Sequence, residues 1–245
     1  MRLPVIRGVI ERRILANFRV ESAVLERILP SPFRPKLANG WGMAGICLIR
    51  LGQIRPRLLP AAFGFSSENA AHRIAVEWDD PSGPQQGVYI PRRDTSSRLN
   101  VLAGGRLFPG EHHLARFEVR ESQQDFHVSI RGDDVALLVE GHLSPGLPSE
   151  SVFATIEEAS SFFEAGALGY SATSRPGHFD GLELRTLRWR VEPLAITRVE
   201  SSFFSDQSRF PPGSVHFDCA LLMRGIEHEW HSRDALCCSD QRAAA

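Results

Sequence analysis

Hydrophobic and polar positions alternate at period two along much of this chain, and that spacing predicts strands. The clearest run is Ile74-Ala75-Val76-Glu77-Trp78, the second half of a strand predicted over 65–78. The turn residues Asp79-Asp80-Pro81-Ser82-Gly83-Pro84 follow, so the next strand, 87–91, returns as a hairpin. Residues 41–51 read as a strand apolar on both faces except at Arg50. That pattern suits a strand lying between an interior and a covering layer. Strands at 113–121, 126–131 and 135–143 run in meander order, with Gly132-Asp133-Asp134 turning between the last two. Strands at 182–191, 195–203 and 215–224 complete the set.

Helical spacing is confined to short stretches. Val20, Val24, Leu25, Ile28 and Leu29 fall on one stripe closed by Pro30, which predicts a helix over 22–29. Thr155 and Glu158 stand at capping-box spacing and open a helix over 155–165, ended by Gly166. Asp94-Thr95-Ser96-Ser97 reads as the N-cap of a helix through Ala103, with Gly104-Gly105 as its stop. The expected fold class is mainly β (α+β): one antiparallel β-barrel domain over 1–235 with a few short helices, then a mobile tail over 236–245.

Composition narrows the function classes. The 245 residues are 42% hydrophobic and 23% charged, a globular balance. A net charge of -1 gives no basic face for nucleic acid or an anionic membrane. Cys47 and Cys219 sit in apolar runs and read as small core residues. The N-terminus has no apolar stretch of signal-peptide length, and no segment approaches a membrane span, so a cytoplasmic location is expected. A homo-oligomer is compatible with all of this. Of 28 Lys plus Arg, Lys36 is the one lysine, so Schiff-base chemistry has a single candidate amine.

Three stretches carry candidate chemistry. In Ser66-Ser67-Glu68-Asn69-Ala70-Ala71-His72-Arg73, Glu68 and His72 share a face with Ile74, Val76 and Trp78. If that face is the barrel interior, Glu68 is placed for general acid–base work beside His72; otherwise Glu68 pairs with an arginine and satisfies the core. Arg92-Arg93-Asp94-Thr95-Ser96-Ser97-Arg98 joins a strand to a helix, where Arg92 and Arg98, with Arg50, could clamp a carboxylate or phosphate. The same arginines could equally pair with Asp94 and neighbouring acids. His112 and His113 point to opposite faces, and His113 is the candidate lining residue. The tail pattern His228-Glu229-Trp230-His231, Cys237-Cys238 lacks the i, i+4 histidine spacing of a zincin, so no metal and no cofactor are expected.

Several segments also resemble a known family. They are residues 64–78 (Gly-Phe-Ser-Ser-Glu-Asn-Ala-Ala-His-Arg-Ile-Ala-Val-Glu-Trp), 89–98, 105–110 and 217–225, and together they are similar to the uncharacterised YqjF-like bacterial proteins. That family is more distantly similar to the acetoacetate decarboxylase-like superfamily. The resemblance implies a β-barrel with an enclosed, partly hydrophobic pocket. It aligns Glu68 with a glutamate that assists in the decarboxylases. Their Schiff-base lysine follows a proline, whereas Pro109 here is followed by Gly110-Glu111, and Lys36 lies far upstream. A Schiff-base decarboxylase is therefore disfavoured.

Three readings stand at this point: a lysine-independent enzyme on a small organic acid, a non-catalytic metabolite binder, and a structural protein with a self-filled interior. A small anionic molecule is the partner that the arginine clusters favour.

Overall fold

The computed structural model describes residues 4–103 and 110–237. Its first strand, β1 (Ile6–Val20), has no counterpart among the predicted elements. Adjacent Arg12 and Arg13 break the alternation, and a register shift against the next strand between Ile10 and Arg12 resets which side chains face inward. α1 (Ser22–Ile28) follows as expected, then the two-residue strands β2 (Arg34–Pro35) and β3 (Leu37–Ala38). β4 (Trp41–Pro56), β5 (Phe65–Asp80) and β6 (Gly83–Thr95) are antiparallel neighbours, each longer than its predicted span.

α2 (Arg98–Ala103) is capped by Ser97, whose Oγ accepts from the Asn100 N–H at 3.3 Å. Asp94 lies in β6 instead, so the expected cap shifts within its motif. β7 (His112–Leu114) and β8 (Arg116–Glu121) divide the predicted strand at Ala115. β9 (Asp125–Arg131) and β10 (Ala136–Leu143) complete the meander. α3 (Ile156–Glu164) carries the predicted cap: Thr155 accepts from the Glu158 N–H at 3.1 Å, and the Glu158 carboxylate accepts from the Ala154 N–H. β11 (Leu168–Ala172), β12 (His178–Thr186), β13 (Glu192–Ser201) and β14 (Val215–Cys237) end the fold.

Hydrogen bonding runs β1-β4-β5-β6-β11-β12-β14, and β14 pairs back onto β1, so seven strands form a ring. An odd ring cannot be antiparallel throughout, because strand direction would fail to match on return. The mismatch falls at β6–β11, which is parallel, as is β6–β7. The expected wholly antiparallel barrel is therefore a mixed one. The excursion from β7 to α3 supplies the long crossover that the parallel β6–β11 pair requires.

β14 bridges two sheets. Its first half also pairs with β13, which continues through β10, β9 and β8 as a second layer. Its second half pairs with β12. Gly225, at φ 65°, sits between the two pairings, in the left-handed region where glycine carries no steric penalty. Leu236 and Cys237 still pair with Phe179 and His178, so the strand runs into the span expected to be a tail, and 238–245 lies outside the described residues.

Three apolar clusters result. The largest fills the space between the outer wall of the ring and the second layer, joining Ile14, Ile46, Ile74 and Trp78 to Val128, Ile130 and Val139. Inside the ring, α3 packs Ala159 and Phe163 on Leu15, Met43 and Val88. A third cluster, Ile10, Leu51, Ile54, Met223 and Ile226, lies beyond it. Among the described residues no helix is long and apolar enough to cross a membrane.

Candidate functional site

Where the two inner clusters meet, the ring holds a cavity of about 130 Å³. An engineered apolar cavity of about 150 Å³ elsewhere accommodates benzene, so the space suits a molecule of only a few heavy atoms. Period-two alternation decides its lining. β4 contributes Cys47, Ile49 and Leu51, and β5 contributes Ser67, Asn69, Ala71 and Arg73. On β6, Val88 and Ile90 face inward; a register shift against β5 then turns Arg93 inward as well. β1 adds Arg13 through its own shift.

Three guanidinium groups thus line one small cavity, and none has a carboxylate partner among the described residues. Arg13 donates through Nε to Cys47 Sγ at 3.2 Å and lies 5.8 Å over the Trp189 ring. Arg73 donates through Nη2 to Asn17 Oδ1 at 2.6 Å and lies 5.1 Å over Phe163. Arg93 donates through Nε to Ser171 Oγ at 2.9 Å. Burial pushes Arg73 down to about 10, opposed by the Cys47 sulfur and aided by the charge of Arg13. Burial likewise brings Arg93 down to about 10. Both remain cationic at neutral pH, so the cavity holds uncompensated positive charge that a buried anion would relieve.

One side of the cavity is lined by amide and hydroxyl groups beside Asp94, which Arg92 holds. Asn69 Nδ2 donates to Ser67 Oγ at 3.0 Å, and Thr95 donates to Asn69 Oδ1 at 2.8 Å. Asn100 Nδ2 contacts Ser67, Asn69 and Thr95, while its buried Oδ1 has no partner among the described residues. His112 of β7 also lines the space; burial first, and then the charge of Arg93, lowers it to about 4, so its ring is neutral at physiological pH.

The residues singled out in the sequence lie elsewhere. Glu68 and His72 face the second layer, on the outer wall of the ring. Glu68 accepts from Arg50 Nε and from Arg12 Nη2, each at 2.6 Å. Arg12 and Arg50 also bond Glu121 of β8, closing a four-membered ionic ring. This is the arginine-paired alternative for Glu68. His72 is fully buried, with its ring 4.5 Å from that of Phe203. Arg92 grips Asp94 and Asp134, at 2.8 and 2.6 Å. Arg98 is exposed on α2, and His113 is half-buried on β7 near Asp134. The structure brings Arg50 and Glu68 together, and none of the six lines the ring cavity.

Arg13, Arg73 and Arg93 were not recognised in the sequence as one set. A usable signal was present at Arg73, the one charged-type residue besides His72 in the apolar stretch 70–76, which has to be buried with it. The lysine lies outside the cavity, with Lys36 Nζ 4.4 Å over the Phe162 ring.

A profile for DUF2071, described as an uncharacterized conserved protein (COG2071), matches residues 9–219. No curated protein matches the chain. Among solved structures, the chain is similar to acetoacetate decarboxylase from Legionella pneumophila, with a TM-score of 0.62, 10% identity, and 98% of this chain and 90% of that one covered. An acetoacetate decarboxylase-like enzyme from Sphingomonas wittichii RW1 gives 0.59 at 11% identity, covering 96% and 93%. The enduracididine biosynthesis enzyme MppR complexed with pyruvate gives 0.57 at 9% identity, covering 98% and 92%. At such identities the likeness is one of fold: an acetoacetate decarboxylase-like barrel.

Proposed function

The chain belongs to the DUF2071 family of uncharacterized conserved proteins, and from that premise we propose that it binds a small organic carboxylate inside its ring. The observation that carries this reading is the set of three guanidinium groups, Arg13, Arg73 and Arg93, lining a cavity of about 130 Å³ with no ion pair to a carboxylate among the described residues, since the lining Asp94 is held by Arg92. Arginine forks match carboxylates in geometry, and a desolvated pair of this kind is stronger than a surface one. The apolar remainder of the wall, including Ile49, Leu51 and Ile90, suits a short carbon chain. A solved relative in fold is complexed with pyruvate, a molecule of the right size and charge.

Binding is favoured over Schiff-base catalysis because the cavity holds no lysine. The one carboxylate among its lining residues, Asp94, is already gripped by Arg92 at 2.8 Å. Calorimetric titration with propionate, pyruvate and the neutral propionamide tests the reading. The acids are expected to bind and the amide not, with Arg93→Met weakening the acids about tenfold, the worth of one charge-assisted hydrogen bond. Equal affinity for acid and amide, or no binding of either, would sink it.

A further inference from the structure

The sulfur in this cavity has the surroundings of a reacting group rather than of a filler. Cys47 accepts from Arg13 at 3.2 Å, and Arg73 on β5 and Arg93 on β6 line the same cavity. In register, Cys47 on β4 faces Ala71 on β5, which in turn faces Arg93 on β6. One methyl group therefore separates the thiol from the Arg93 strand, about 10 Å away across two strand spacings.

A second observation, independent of the cysteine, points to a ligand at the same wall. Arg73 is only 6% exposed, and its Nε is buried with no acceptor among the described residues while the residue lines the cavity. A buried donor left open in this way is a place for an acceptor from outside the chain. Of the described cysteines, Cys47 alone lines the cavity. Cys219 is buried away from the cavity, and burial pushes its thiol up; Cys237 is exposed at the end of β14.

We propose that Cys47 is the covalent attachment point for a short carboxylate bearing an electrophilic carbon, with Arg13, Arg73 and Arg93 holding the carboxylate. This rests on the anion-binding reading above and adds chemistry to it. With a conjugated acid, sulfur forms a C–S bond to the β-carbon as the carbon–carbon π bond breaks. The proton that leaves the thiol ends on the α-carbon, so no other reagent is consumed. Fixing the carboxylate in the arginine cluster holds the neighbouring carbons beside the sulfur, which supplies the orientation that such additions need.

Iodoacetate and iodoacetamide provide a matched anionic and neutral probe. In labelling, sulfur bonds to the methylene carbon, the C–I bond breaks, iodide leaves and the thiol proton passes to buffer. The rate at each cysteine of the full chain is read by peptide mass spectrometry. Cys47 is expected to take iodoacetate about tenfold faster than iodoacetamide, the margin of one charge-assisted hydrogen bond, while exposed Cys237 shows no such preference. Arg93→Met should reduce the Cys47 ratio to that of Cys237, and saturating propionate should slow iodoacetate at Cys47 alone. A native Cys47 that stays unlabelled, or that shows the Cys237 ratio, overturns the proposal. If propionate still binds by calorimetry in that case, only the covalent site falls; if it does not, the carboxylate-binding reading falls with it.

Discussion

Arg12 donates to Glu68 at 2.6 Å across the outer wall of the ring, and the Arg12 side chain is almost wholly buried in doing so. The carboxylate is a strut between β5, β1 and β4, with Glu121 of β8 completing the ionic ring from the second layer. Removing Glu68 leaves the buried Arg12 and its neighbour Arg50 sharing Glu121 alone, at a cost of about 3 kcal/mol. Glu68→Gln is therefore expected to lower the urea midpoint markedly and to leave propionate affinity unchanged. An unaltered midpoint with lost binding would return Glu68 to the ligand site.

His72 makes stability depend on pH. Burial first, then the charges of Arg92 and Arg209, lowers its ring from 6.5 to about 3. Below 6.5 the unfolded chain takes up a proton that the folded chain excludes, so stability is lost as pH falls from 6.5 toward 3. One such group contributes a slope of about 1.4 kcal/mol per pH unit. His112 and His228, each held down to about 4, act in the same direction. His72→Phe should remove one group's share of the slope in denaturation series across this range. A slope identical to that of the native chain would count against it.

Ala71 offers a way to fill the cavity without touching a charge. It stands between Cys47 and Arg93 in register and lines the space. Ala71→Leu should occupy much of the cavity, hold or raise the melting temperature as a cavity-filling change, and abolish propionate binding by calorimetry. Binding at native affinity with a folded Ala71→Leu chain would place the ligand elsewhere.

Asp218 anchors the approach to α3. It is 2% exposed and accepts from Ser151 Oγ at 2.8 Å and from the Val152 N–H at 2.9 Å, with Arg19 at 3.6 Å. Asp218→Ala leaves those donors open and should destabilise by about 2 kcal/mol in thermal or urea melts. Because α3 packs on the same inner wall that Cys47 belongs to, amide exchange in residues 156–164 should quicken as well. Unchanged exchange there would show that the anchor does not govern the helix.

The sequence by itself determined the class and most of the elements, because alternation, turn residues and caps are local quantities. The Thr155–Glu158 box, the 79–84 turn and the meander through β10 could all be read from neighbours within a few positions. It missed β1 because two charged residues stand side by side there, one turned to Glu68 and the other to the cavity. Alternation also sorted β5 correctly into two faces, Glu68 with His72 and Ser67 with Arg73. Which face was inside could not be decided locally, since both are largely buried. That was settled by ring closure of β14 onto β1 and by the second layer covering the other side. Non-local pairing put Arg13, Arg73 and Arg93 around one thiol, and no spacing along the chain encodes that meeting.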